Sequence, residues 1–559
     1  MTSINGAELC IRLLERQGIT RIAGIPGGFN LPLYDALAKS ERIRHILARH
    51  EQGAGFIAQG MARAGGRAAV FFATSGPGAT NTLTALADAK LDSVPVICIT
   101  GQVPLAMIGT DAFQEVDIYG MSVPVTKHNF LVRSIDELLR VIPEAFAIAE
   151  SGRPGPVLVD IPKDIQTARV TLASLPAPGA AQSPIDPEPD ELARAAALIN
   201  ASERPVFLFG GGCARPESGA LALELVETCR IPAAMSLQGL GVIPSDHALS
   251  LGMLGMHGAR CTNMVLEECD LLAVVGARFD DRATGLMERF CPGAKIVHID
   301  TDASEISKLR APDAGVVADA ARTLSALMPL VERRGRAAWL ARVAGLKASH
   351  AMVFEKADDP CSPYGIIRQT AALLGDQAVV ATDVGQHQMR VAQAYPFGRT
   401  RQWLTSGGLG TMGFGLPAAI GAALERPDAT VVCFTGDGSL LMNLQELATA
   451  AEEDVNVKII LCNNHGLGLV QQQQDLFYGG RLFASRYKAD VNFTRIAEGF
   501  GVRALRLNEQ ADPRAALAEA LTTQGPCLIE VDVRAEDKVF PMVPPGAANI
   551  DMIGGERHA

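Results

Sequence analysis

Long hydrophobic runs are missing from this sequence. No apolar stretch approaches the roughly 20 residues needed to cross a bilayer, so no membrane span is expected. Basic clusters are missing too. With Lys+Arg 50 against Asp+Glu 61 the net charge is −11, and without a positive stripe a nucleic-acid partner is not expected. The eleven cysteines form no CxxC pair, and Cys98, Cys433 and Cys462 sit inside apolar strand-like runs. They read as reduced core residues of a cytoplasmic protein, not as zinc ligands. The stretch MTSINGAELCIRLLERQGI lacks signal or transit character and reads as an amphipathic helix.

What is there is an ordinary globular composition, 48% apolar and 20% charged, in a chain of 559 residues, too long for a single core. The proline-rich SLPAPGAAQSPIDPEPD at 174–190 reads as a linker, and EKADDPCSP after a basic, alanine-rich helix marks a weaker second boundary. Three blocks remain: 1–170, 190–345 and 360–559. Each alternates short β-branched runs with helical patterns, as in AAVFFATSGPG, LLAVVGARFDD and ATVVCFTGDG. Strand, glycine-rich turn, helix and strand is the βαβ pattern. The expected fold is therefore α/β, with three doubly wound parallel sheets whose ligands bind beyond the carboxyl ends of the strands.

The stretch GDGSLLMNLQELATAAEEDVNVKIILCNN at 436–464 places Asp437 and Asn464 at two such ends. VVCFT reads as a buried strand, NLQELATAAE as the crossover helix and VKIILC as the neighbouring strand. Gly436 and Gly438 would let a bulky group approach the backbone. One carboxylate and one amide oxygen form a hard, low-charge ligand set that suits Mg²⁺ completed by water and substrate phosphates. GDG alone is more often a turn; the strand ends and the NN pair move the balance toward a metal–diphosphate holder. Glu51, in RHEQGAG, opens an apolar helix, where an acid is also favoured by the helix dipole alone.

GDG followed by NN at this spacing is similar to the thiamine diphosphate motif. Together with RHEQGAGFIAQGMAR, TSGPGATN, GTDAFQE, SGRPGPV, LGMLGMHG, GARFDDR, TDVGQHQM and SGGLGTMGFGLPAAIGA, it makes the chain resemble, nearly end to end, the catalytic subunits of the acetolactate synthase (acetohydroxyacid synthase) family. The resemblance implies an enzyme of branched-chain amino-acid (valine, leucine, isoleucine) biosynthesis. Such an enzyme decarboxylates pyruvate and joins the two-carbon unit to a second pyruvate or to 2-oxobutyrate. It also implies a dimer whose active sites are shared between subunits, thiamine diphosphate, Mg²⁺, an FAD without redox duty, and a small regulatory subunit. The first block would bind the pyrimidine, the middle block the flavin and the third the diphosphate.

Residue by residue, the resemblance gives Glu51 the aminopyrimidine N1′, where a buried carboxylic acid would share a proton. Asp437, Asn464 and the carbonyl of Gly466 would hold the metal, with Gly385, Gln386 and His387 in the diphosphate loop. Gly410 and Met412 would lie beside the aminopyrimidine and Met442 would prop the cofactor; for both methionines a core role is the plain alternative. Phe113, Gln114 and Lys163 would lie near the substrate, and Gly28 would face the thiazolium. Lys163 reads equally as a solvated lysine and Gly28 as a turn glycine. Arg153, Gly210, Gly211, Gly212, Met256, His257, Gly276, Arg278, Asp280, Arg282, Asp300, Asp319 and Ala320 map to flavin contacts, although FGGGCA is not GxGxxG and by itself supports only a dinucleotide guess.

One position departs from most of the family. Gln473, in QQQQDLF, stands where a tryptophan selects 2-oxobutyrate and contacts sulfonylurea herbicides. One bacterial isozyme type shares the glutamine, and the sequence resembles that type most. The competing readings are another thiamine diphosphate carboligase or decarboxylase, a pyruvate oxidase, a dehydrogenase and an inactive homologue. The dehydrogenase would need a GxGxxG with an acid about 20 residues on, and the inactive homologue would lack Glu51, Asp437 or Asn464.

Overall fold

The computed structural model describes residues 2–555. Three sheets of six strands each are wholly parallel, and a two-stranded antiparallel ribbon joins Thr2–Asn5 to Arg169–Leu172. The amino terminus thus begins with a strand, and the expected amphipathic helix runs only over Gly6–Arg16, capped by Asn5 and Glu8. The central strands Val96–Gln102, Val157–Pro162, Val431–Gly436 and Val457–Asn463 are buried at every residue, as parallel strands covered by helices on both faces must be.

The first sheet runs Arg44–Leu47, Arg21–Gly24, Ala69–Ala73, Val96–Gln102, Val157–Pro162, His128–Leu131. The third runs Trp403–Leu404, Val379–Thr382, Val431–Gly436, Val457–Asn463, Cys527–Asp532, Arg503–Arg506. The middle sheet differs. From one edge it runs Ser250–Met253, Ala233–Met235, Pro205–Phe209, Leu271–Val275, Lys295–Asp300, Ala314–Val317, an order of 3-2-1-4-5-6. That is the dinucleotide-binding arrangement, and its switch point lies between Pro205–Phe209 and Leu271–Val275.

Residues 173–188 carry no helix or strand. The first and third units pack through the helices Glu51–Gly65 and Gly415–Glu425. The approach is so close that a β-carbon on Gly60 would stand 2.0 Å from the carbonyl oxygen of Ala418, and one on Gly421 2.0 Å from that of Ile57. Glycine is required at both crossing points. All eleven cysteines are free thiols, and no helix among the described residues is long and apolar enough to cross a membrane.

Candidate active site

The strand Val431–Gly436 ends at Gly436, and the helix Asp437–Asn443 begins at once. The expected single crossover helix is instead two short ones, Asp437–Asn443 and Glu446–Glu452. The flanking glycines also have a different reason from the one expected. A β-carbon on Gly436 would meet the His387 ring at 3.0 Å, and one on Gly438 would meet Leu467 at 2.6 Å and the Tyr487 hydroxyl at 2.8 Å. It is the protein's own side chains that crowd this turn.

Asp437 is buried, and its carboxylate accepts from the backbone N–H of Gly438 at 2.9 Å and of Gly466 at 2.7 Å. Burial, outweighing those two bonds, pushes its carboxyl up to about 6. Asn464 lies beside it. Its amide oxygen faces the Gly466 carbonyl and an Asp437 carboxylate oxygen, and only with the amide turned over would its nitrogen donate to them, at 2.7 and 3.2 Å. The amide of Asn464, the carbonyl of Gly466 and the carboxylate of Asp437 thus meet within 2.7 and 3.2 Å. Carboxylate, amide and backbone carbonyl oxygens at one spot are hard donors, so the set fits Mg²⁺. Asn463 is not part of it: its amide donates to Glu530 inside the sheet at 2.8 Å. Among the described residues no three His, Cys, Asp or Glu side chains cluster as a metal site; the set at Asp437 has a single carboxylate.

The loop that the resemblance assigns to the diphosphate lies alongside. Gly385 precedes the helix Gln386–Ala394, whose first turn has no side-chain cap. The helix Gly468–Phe477 is likewise uncapped. The Gln386 amide oxygen accepts from Asn464 at 3.4 Å, and a β-carbon on Gly468 would strike both side chains. Two helix starts without side-chain caps therefore meet beside Asn464, a ready site for an anion. His387 is buried there, held neutral with its pKa pushed down to about 3, and its Nε2 has no partner among the described residues. That orphaned nitrogen and the uncapped turns fit a diphosphate. Sequence reasoning missed Asp383, whose carboxylate is fully buried and accepts from the N–H of Val384 at 3.0 Å and of Gly413 at 2.8 Å, tying this loop to Met412. Its signal was an acid at the last position of the run VVATD.

Met412 stands with its methyl 3.5 Å from a β-carbon built on Gly438, and Gly410 has φ +70 with open space around it. Met442 is 52% exposed, so it is not the core gap-filler that methionine usually is.

At the first sheet, Glu51 is half-buried and accepts from the Asn81 amide at 3.0 Å. It is not enclosed in apolar side chains within one chain, as burial alone would have required. Asn81, at the end of TSGPGATN, is the partner the sequence did not single out. The Lys163 ammonium donates to the Gly28 carbonyl at 2.9 Å, which joins those two residues and shows that Lys163 is not simply solvated. A β-carbon on Gly28 would meet nothing within 4 Å, while its neighbour Gly27 is packed against Thr74. Gln114, at φ +59, sits with its backbone under Gly76, and Phe113 beside it is 80% exposed. No hydrogen bond or ion pair among the described residues joins Glu51 to Asp437 or Asn464 of the same chain.

A cavity of about 470 Å³ opens at the carboxyl edge of the middle sheet. Every residue carried over to the flavin lines it except Gly210, which lies just behind: a β-carbon there would strike the Gly276 carbonyl at 2.3 Å. Arg153, Arg215, Arg278 and Arg282 line the cavity together with Asp92, Asp280, Asp281, Asp300 and Asp319, and Arg153 is held by Asp302 at 3.1 Å and Glu305 at 2.8 Å. His257 donates from Nδ1 to the Pro541 carbonyl at 3.2 Å and is kept neutral by burial, with its pKa lowered to about 4. Volume, strand order and guanidinium groups available to a phosphate fit a dinucleotide.

Gly410 and Gln473 line the same cavity, so it extends toward the third sheet. Of the four consecutive glutamines, Gln471 donates to Ser485, Gln472 is bonded in both directions to Val539, and Gln474 bonds Phe483 and Ser485. Gln473 alone is exposed and has no hydrogen bond among the described residues.

The chain matches three family models: thiamine pyrophosphate enzyme, N-terminal TPP binding domain, over residues 4–121; the central domain over 192–327; and the C-terminal TPP binding domain over 383–531. It is 58% identical over 550 residues to the acetolactate synthase isozyme 1 large subunit of Escherichia coli (strain K12), covering 98% of this chain and 97% of that protein. Identity to the isozyme 2 large subunit of the same organism is 43% over 551 residues, 98% and 99% of the two chains. With the chloroplastic acetolactate synthase 1 of Nicotiana tabacum it is 45% over 565 residues, 98% and 84%.

Proposed function

Because the chain belongs to the acetolactate synthase family of thiamine pyrophosphate enzymes, we propose that it converts two pyruvates and a proton into one 2-acetolactate and one CO₂. With 2-oxobutyrate as the second acid the product is 2-aceto-2-hydroxybutyrate. This is the first common step of branched-chain amino-acid synthesis. The observation that carries the reading is the meeting of Asp437, Asn464 and Gly466 just past the ends of two adjacent strands.

Bound thiamine diphosphate supplies a nucleophilic carbon that takes up the 2-oxo carbonyl and holds its electron pair when CO₂ leaves. The chain does the rest. Asp437, Asn464 and the Gly466 carbonyl hold Mg²⁺, and Gly385, Gln386 and His387 receive the diphosphate. Glu51 holds a proton at the pyrimidine N1′. Gly410, Met412 and Met442 pack the cofactor, with Gly28, Phe113, Gln114 and Lys163 around the substrate. Lys163 offers its ammonium to the substrate carboxylate. The reaction involves no net redox change, so FAD in the middle cavity acts as structure.

The same reading divides the chain near 170–190 and 345–360. It pairs two chains so that Glu51 of one faces Asp437 of the other, in keeping with the absence of any bond between them within one chain. It also assigns a smaller regulatory subunit, in keeping with relatives named as large subunits, and a cytoplasmic location. Alone, the chain is expected to be active and poorly inhibited by valine.

The test is incubation with pyruvate, thiamine diphosphate, Mg²⁺ and FAD. Acetolactate is the expected product; acetaldehyde alone would make the protein a decarboxylase, and peroxide with acetate an oxidase.

A further inference from the structure

Residues 405–411 run between the strand Trp403–Leu404 and the helix Gly415–Glu425 without secondary structure of their own. They are fixed from the first unit. The fully buried Asp88 carboxylate, on the helix Leu83–Leu91, accepts from the Ser406 hydroxyl and, at 2.7 Å, from the Thr411 hydroxyl. Asp92, just past the end of that helix, accepts from the backbone N–H of Gly407 at 3.0 Å and of Gly408 at 2.7 Å. Arg63 reaches Asp92 at 2.8 Å and Asp88 at 3.6 Å, so one guanidinium serves two carboxylates. Mere adhesion between units is achieved at least as well by apolar side chains, whereas buried charge fixes a geometry.

That geometry matters on two sides. Ser406, Gly407, Gly408 and Gly410 line the middle cavity, and the segment leads directly into Met412, which lies against Gly438 beside Asp437. We propose that Asp88 and Asp92 are positioning residues holding 406–411 as a common wall of the flavin cavity and the thiamine diphosphate site, so that the two cofactors' affinities are coupled through it. This rests on the cofactor assignment just given. Coupling of this kind is reciprocal: what flavin adds to thiamine diphosphate affinity, thiamine diphosphate adds to flavin affinity.

The experiment titrates thiamine diphosphate at fixed Mg²⁺ into flavin-loaded and flavin-stripped full-length protein, following tryptophan fluorescence, since Trp403 heads the segment. The wild type is expected to bind roughly tenfold more tightly when flavin is loaded. In Asp88→Asn, Asp92→Asn and the near-isosteric Thr411→Val the ratio should fall toward one, and Thr411→Ser, which keeps the hydroxyl, should restore it. A wild-type ratio of one, or a Thr411→Val ratio equal to that of the wild type, overturns the proposal. If the wild type neither takes up flavin nor forms acetolactate, the cofactor assignment beneath the proposal fails instead.

Discussion

Counted along their own segments, the strands of the first and third sheets run in the same order: second, first, third, fourth, sixth, fifth. In each, the second strand is followed by a long helix, Glu51–Gly65 in one and Gly415–Glu425 in the other, and these two equivalent helices cross at Gly60 and Gly421. The third strand of each ends in a glycine turn. In the first unit it is SGPG, with no charge; in the third it is GDG, with a buried carboxylate. The acid of the first unit stands instead at the start of its long helix, where the third unit has Gly415. Two copies of one scaffold thus carry their acids at different ends: Glu51 after the second strand of the first, Asp437 after the third strand of the other. The shared topology decides where a strand ends and a few residues decide what that end can bind.

The comparison breaks most severely if the first unit's acid is removed. Glu51→Gln is expected to lower turnover by about 10²–10⁴-fold with cofactor affinity little changed. Measuring C2–H exchange of the bound cofactor checks this, and an exchange rate equal to that of the wild type would count against it. Removing the third unit's acid should do the converse. Asp437→Ala should lose Mg²⁺-dependent retention of thiamine diphosphate, read by titration with and without metal.

The same carboxylate gives a pH dependence. Its pKa is raised by burial from 3.8 to about 6, so it is protonated below that value and charged above it. Metal-dependent affinity should hold near pH 7.5 and fall about tenfold per unit once the pH drops below about 6. Without metal the sign for stability reverses, since ionising a buried acid costs the fold; the metal-free protein should melt lower at pH 7.5 than at pH 5, and Mg²⁺ should close the gap.

Substrate choice is a smaller effect. Gln473 offers little apolar surface to the extra carbon of 2-oxobutyrate, and one methylene in an apolar pocket is worth about 1–3 kcal/mol. The wild type should show little preference in a competition assay, while Gln473→Trp should raise selection for 2-oxobutyrate roughly 10–200-fold and bring sulfonylurea sensitivity. A strong wild-type preference would point to another residue. Smallest is the crossing itself. Gly421→Ala should cost about 1–3 kcal/mol in thermal unfolding by overpacking. Gly345→Ala, on an open helix face, should be neutral or slightly stabilising.

The alternation of apolar runs with helical stretches made three parallel sheets legible in the sequence, because strands buried on both faces must be continuously apolar. Asp437 and Asn464 were legible for a related reason: polar residues directly after such runs have to sit at strand ends. The helix start at Asp437 was hidden by GDG, whose glycines suggest a turn but are small because His387 and Tyr487 occupy the space. Trp403–Leu404, only two residues long, gave no periodicity to read. The middle sheet's order became visible only in three dimensions, since FGGGCA lacks the usual glycine spacing. Asn81 against Glu51, and Asp88 and Asp92 against residues 406–411, depend on contacts between segments far apart in the chain, and a single sequence holds no signal for these.

Of the four consecutive glutamines, three hold loops in place and one has nothing to hold. Replacing Gln472 would leave the Val539 N–H and carbonyl without their partner and take one acceptor from the Gln386 amide, whereas a helix-compatible residue at 473 breaks no side-chain bond of the scaffold. The cavity wall at this position can therefore vary by single steps, each tolerated by the fold.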